Sequence, residues 1–145
     1  MKLENAYIHS MPRARGFTLL ELLVVMVIIG MLAAFVAPRY FAQVGKSQAK
    51  AAKAQIMALE QALDQFRLDV GRYPSNEEGL QALNAAPSNV PGWGGPYLKK
   101  AAPNDPWGHP FVYVQPGTHG ELDLSSYGKD GREGGTGENA DITNW

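Results

Sequence analysis

The chain has 145 residues, with 13 Lys and Arg against 14 Asp and Glu and no cysteine. That length suits one small domain plus an extension. The near-neutral balance excludes a basic field of the kind that binds nucleic acid, and the missing cysteines exclude a disulfide framework.

The first 16 residues carry Lys2, Arg13 and Arg15 against Glu4; the remaining 129 hold 10 basic and 13 acidic side chains, a formal charge of −3. Phe17 to Ala37 follows as 21 residues whose single charge is Glu21. As a helix it measures about 31 Å, enough to cross a bilayer core. A plain signal-anchor fits that shape. A cleaved secretory signal fits less well, because its apolar core runs roughly 7–15 residues and ends at small residues, whereas Phe35 stands three residues before Pro38. A charge near the middle of a membrane helix costs roughly 2.5–3.5 kcal/mol, so an anchor alone has no use for Glu21. Charge bias leaves orientation open, since Arg39, Lys46, Lys50 and Lys53 follow the apolar run.

Beyond the run, Ala49, Ala52, Ile56, Leu59, Leu63, Phe66 and Val70 recur at steps of three and four, the stripe of an amphipathic helix. Pro38 removes one backbone donor and crowds the preceding turn. It predicts either a tolerated kink or a melted turn near Ala34–Pro38. Gly71 and Pro74 end the helix. Ser75 and Glu78 have capping-box spacing and predict a short helix over about Asn76–Leu83. Pro87 to Gly95 reads as a loop, with Trp93 and Tyr97 as core aromatics. Phe111–Val114 and Leu122–Tyr127 read as strands joined through Pro116–Gly120, a hairpin with a long turn. From Gly128 on, glycine and acids dominate; residues 121–145 hold 6 acidic and 2 basic side chains. Such a tail is either disordered or held by a cation. Asp130, Glu133, Glu138, Asn139 and Asp141 supply the hard oxygens that calcium takes in sets of 6–8. An EF-hand is excluded, because aligning Asp123 to its first position puts Gly134 where a bidentate Glu is required.

Nothing in the chain points to catalysis. His109 and His119 lie in Pro/Gly-rich turns without metal-ligand spacing, and Gly135–Ala140 matches a loosened dinucleotide fingerprint with no surrounding βαβ unit. There is no Gly-x-Ser-x-Gly elbow.

The order of basic leader, Gly16, and Phe17-Thr18-Leu19-Leu20-Glu21 resembles the class III signal of type IV pilins and pseudopilins. Three further stretches are similar to one branch, the major pseudopilins of type II secretion systems. They are Arg72-Tyr73-Pro74 with Glu78–Leu83, Asp105-Pro106-Trp107-Gly108, and Tyr127–Gly131 with Ala140–Trp145. The resemblance covers nearly the whole chain after residue 16. It implies an α+β, pilin-like fold, a long N-terminal helix packed on a small antiparallel sheet. It implies a leader 1–16 removed by prepilin peptidase between Gly16 and Phe17, N-methylation of Phe17, a membrane and filament-core helix over 17–37, and a periplasmic domain over 38–145. Glu21 becomes the assembly residue, pairing in low dielectric with the new amine of a neighbouring Phe17 and so fixing register.

The implied function is a structural, non-enzymatic subunit. It polymerises into a periplasmic pseudopilus that supports export of folded proteins across the outer membrane. The implied partners are further copies, minor pseudopilins, the inner-membrane secretion platform, prepilin peptidase and membrane lipid. The implied location is the inner membrane, single-pass, N-terminus cytoplasmic. Calcium is the implied ligand, held by Asp130 with the carbonyl of Tyr127 and by Asp141, with Glu138 and Asn139 as alternatives at that end. Two other readings stay open: a type IV pilin for adhesion or motility, and an anchored periplasmic binding protein that never polymerises.

Overall fold

The structure, a computed structural model, describes residues 16–145; the leader as far as Arg15 lies outside the described residues. Contacts divide the chain into two compact units at Arg39 and Tyr40. Helix α1 (Leu19–Val70, 52 residues) contributes to both.

The first unit is apolar helix. Its large side chains are uncovered, from 47% exposed at Val24 to 83% at Leu19. In length and composition it is enough to cross a membrane. The helix runs unbroken through Pro38, so in the single chain the turn considered for Ala34–Pro38 is not melted. Proline forfeits one donor, whereas melting a turn frees several backbone groups, and apolar neighbours offer those groups nothing in exchange.

In the second unit the stripe behaves as its spacing requires. Ala52, Ile56, Leu59, Ala62, Leu63 and Phe66 are buried, whereas Ala49 and Val70 at its ends are half-buried. Each large apolar member contributes about 1.5–3 kcal/mol by leaving water. They meet Ala82, Leu83, Phe111, Leu122 and Leu124 in one core, flanked by Trp93 and Tyr97. The helix stops at Val70, and Gly71 (φ +85°) donates its N–H to the carbonyl of Arg67 at 2.7 Å, a glycine stop of the expected kind.

The short helix expected over Asn76–Leu83 is instead a turn followed by a 3-10 helix over Gly79–Leu83. The capping box itself is present: Ser75 N–H donates to Glu78 Oε2 at 2.7 Å and Glu78 N–H to Ser75 Oγ at 3.2 Å. Gly79, at φ +55°, then leaves the right-handed region and breaks the α run. Glu78 also takes both arms of Arg72 at 2.6 and 2.8 Å. Mainly through Arg72, against an opposing effect of burial, its carboxyl is held down to about 2.

Three strands, β1 (Val112–Val114), β2 (Asp123–Ser126) and β3 (Ile142–Thr143), form an antiparallel sheet in the order β1-β2-β3. The predicted hairpin is β1 and β2, with Tyr113 opposite Leu124. The third strand was not anticipated. It pairs Thr143 with Ser125 and Ile142 with Ser126, so the tail, expected to be disordered or cation-held, is tied into the sheet. As the central strand, β2 is buried throughout.

Candidate functional site

At the start of α1, Thr18 and Glu21 form a second capping box that sequence reading passed over, although Thr-x-x-Glu is its written signature. The Thr18 N–H and hydroxyl both donate to Glu21 Oε2 at 2.9 Å, and Glu21 N–H donates to Thr18 Oγ1 at 3.2 Å. This corrects one inference: a single chain does have a use for Glu21, as the acceptor that satisfies its helix's first donors. Oε1 takes no part in that cap. Gly16 and Phe17, the predicted processing pair, are exposed immediately before it.

The C-terminal acids lie on a loop closed at three points. Lys129 N–H donates to the carbonyl of Glu138 at 3.0 Å. Gly128 (φ +64°) comes so near the other limb that a Cβ would stand 2.8 Å from the Ala140 carbonyl oxygen. Gly134 N–H reaches Asp141 Oδ2 at 2.8 Å. The predicted ligands then separate by role. Asp141 Oδ1 is buried and meets no hydrogen-bond donor. Asp130 is exposed on the 128–131 turn, its Oδ1 accepting Arg132 N–H at 3.2 Å. Tyr127 is half-buried. Glu138 is engaged elsewhere, in an ion pair with Lys129 at 2.6 Å and packed so closely on Gly45 of α1 that a Cβ there would collide with it. Asn139 lends its backbone, with its N–H on the Thr136 carbonyl at 3.2 Å, and Glu133 is exposed.

Among the described residues, no three His, Cys, Asp or Glu side chains are grouped so as to hold a metal. A cation here would therefore draw much of its coordination from backbone carbonyls and water, which calcium accepts. The unpaired Asp141 oxygen is what a hard cation would complete, since a buried acceptor without a donor costs about 1–3 kcal/mol.

The two turn histidines each contact neighbouring segments of the fold. His119 Nδ1 is 3.0 Å from Asp123 Oδ2, and its ring stacks on Trp145 at 4.0 Å between centroids. Asp123 also accepts the N–H and hydroxyl of Thr118, at 2.8 and 2.7 Å. Burial pushes the Asp123 carboxyl up, but the Thr118 and His119 donors win and hold it down to about 2. His109 is tied to the tail, with Nδ1 3.2 Å from the Gly128 carbonyl.

An uncovered apolar helix with a capped acid at its head, and a three-stranded unit closed by a glycine-rich loop, define a pilin-like subunit. Residues 39–145 match the family described as type II secretion system (T2SS), protein G, and residues 11–37 match the prokaryotic N-terminal methylation motif. The chain is 45% identical over 133 residues to the type II secretion system core protein G of Pseudomonas aeruginosa, covering 90% of this chain and 94% of that one. Against the core protein G of Escherichia coli K12 it is 47% identical over 141 residues, covering 94% of each. The crystal structure of the major pseudopilin from the type 2 secretion system of enterohaemorrhagic Escherichia coli aligns with a TM-score of 0.60 and 34% identity, over 72% of this chain and 92% of that one. The chain belongs to the type II secretion system protein G family.

Proposed function

We propose that this chain is the major subunit of a periplasmic pseudopilus and that it supports export of folded proteins across the outer membrane. The observation that carries this is the apolar half of α1, with Val24 at 47% exposure its best-covered large side chain before Ala37. Such a surface needs lipid before assembly and other copies of itself afterwards. The N-terminus lies in the cytoplasm, prepilin peptidase cuts between Gly16 and Phe17, and the new Phe17 amine is methylated. Glu21 then trades part of its bonding to Thr18 for the cationic amine of a neighbouring Phe17. A charge pair of that kind sets axial register because a misaligned subunit leaves a buried charge unpaired. The work is structural; minor pseudopilins and the inner-membrane platform complete the assembly.

The test is the mass of the N-terminal peptide from native membranes. Cleavage after Gly16 plus one methyl group is the expected result, and a chain still beginning at Met1 would contradict the reading. Glu21→Ala should insert into the membrane and be processed, yet form no filaments; wild-type assembly of that variant would remove the register argument.

The C-terminal loop is proposed to take calcium. The Tyr127 carbonyl, Asp130 and Asp141 would hold it, and the buried, unpaired Asp141 oxygen supports this. When bound, the ion supplies positive charge shared by both limbs of the loop. A ligand that binds only the folded form adds RT ln(1 + [Ca²⁺]/Kd), about 1–3 kcal/mol at ten to a hundred times Kd. Chelation should therefore lower the melting temperature of the detergent-solubilised full chain by roughly 4 °C or more. Identical transitions with calcium and with chelator would count against the site.

A further inference from the structure

The carboxyl of Asp105 is wholly buried, 0% exposed. A buried carboxylate costs several kcal/mol unless its lone pairs are occupied. Here Oδ1 accepts Trp107 N–H at 3.1 Å and His109 N–H at 2.8 Å, closing the 105–109 turn on itself. Oδ2 accepts the hydroxyl of Ser126 at 2.6 Å. Ser126, on β2, is also 0% exposed. An apolar residue beside Leu124 would fill that position at less cost.

What the pair achieves appears one residue further on. A carboxylate can only accept, so the single Ser126 hydrogen goes to Asp105 and its oxygen is left to accept. It accepts Gly128 N–H at 3.3 Å. The Tyr127–Gly128 peptide is trans, and in a planar trans peptide the N–H and C=O point in opposite directions. Holding the Gly128 N–H inward therefore aims the Tyr127 carbonyl outward. The next peptide is held from the same turn. His109 Nδ1 lies 3.2 Å from the Gly128 carbonyl, which can only accept, while Lys129 N–H, on the other side of that peptide, reaches the Glu138 carbonyl. Gly128 packs so closely on the other limb that a Cβ there would stand 2.8 Å from the Ala140 carbonyl oxygen and 3.0 Å from that of Asn139.

We infer that Asp105 and Ser126 are positioning residues that pre-aim the Tyr127 carbonyl toward the cation proposed for the C-terminal loop. This rests on the calcium reading. Groups standing behind a metal's ligands remove the ordering cost of those ligands, and losing one weakens binding 10–100-fold.

The experiment uses the processed full chain in detergent, titrated with Ca²⁺ and with Tb³⁺ as a luminescent substitute. Ser126→Ala should raise the calcium Kd roughly tenfold or more. Terbium decay rates in H₂O and D₂O should report one additional coordinated water, where the Tyr127 carbonyl has swung away. Asp105→Asn preserves volume and both turn acceptors, and should move both readouts the same way. Asp123→Asn, at another buried, hydrogen-bonded carboxylate but outside this relay, should move neither. Wild-type Kd and water count in Ser126→Ala and Asp105→Asn would overturn the inference while leaving calcium binding intact. An equal effect of Asp123→Asn would overturn it too, as general loosening. Failure of the wild-type chain to bind either ion would sink the calcium reading and the inference with it.

Discussion

Single residues in this chain repeatedly do two jobs with one side chain. Glu78 caps the turn after α1 and clamps Arg72. Asp123 holds Thr118 and His119, and so shapes the β1–β2 connection. The Asp123 carboxyl is depressed from 3.8 to about 2 on folding. A depressed acid stabilises the fold fully above its unfolded value and loses that contribution as pH falls through its folded value. The melting-temperature gap between wild type and Asp123→Asn should thus stay constant from neutral pH down to about 4 and close as pH approaches about 2. A gap that widened on acidification would show the sign to be wrong. The Ser75–Glu78 box was legible in the sequence; the Thr18–Glu21 box was equally written there but hidden, because an acid in an apolar run draws attention to its charge. Asp105 was legible only as part of a resemblance. Its buried role depends on Ser126, 21 positions away in the chain, and no local pattern encodes that.

At the level of elements, α1 was the most readable, since its stripe repeats over seven positions with one physical meaning. The consequence is a sharp contrast between neighbours. Phe66, at 0% exposure, should cost about 3–5 kcal/mol on truncation to Ala. Leu68, at 78% exposure, should stay within about 0.5 kcal/mol. Thermal or denaturant unfolding of the two variants checks this, and comparable losses would refute the assignment of faces. Strands β1 and β2 were legible from the runs Phe111–Val114 and Leu122–Tyr127 and from the Pro/Gly turn between them. Strand β3 was not. Two residues carry no period, and Ile142–Thr143 is a strand only because Ser125 and Ser126 offer it an edge. The 3-10 segment over Gly79–Leu83 was missed for the opposite reason: a good cap was read as promising more helix than Gly79 permits.

For the whole molecule, family and role followed from the combination of an N-terminal signal with C-terminal stretches that no single element explains. One residue joins those distant parts. Asn144 accepts Leu124 N–H at 2.8 Å through Oδ1, donates to Glu60 of α1 at 2.8 Å through Nδ2, and gives its own N–H to the Leu124 carbonyl at 3.0 Å. Asn144→Ala strips partners from buried backbone and should cost about 2–3 kcal/mol, readable as a lower denaturant midpoint; an unchanged midpoint would show that the strand pairing alone secures the tail. This bolt joins α1 to β2 across 84 positions of chain, so the unit over Tyr40–Trp145 is closed by a contact between distant segments. Loosening the stretch around Asn144 would therefore free helix and sheet from one another at once, and among the described residues no shorter-range contact of this kind would take its place.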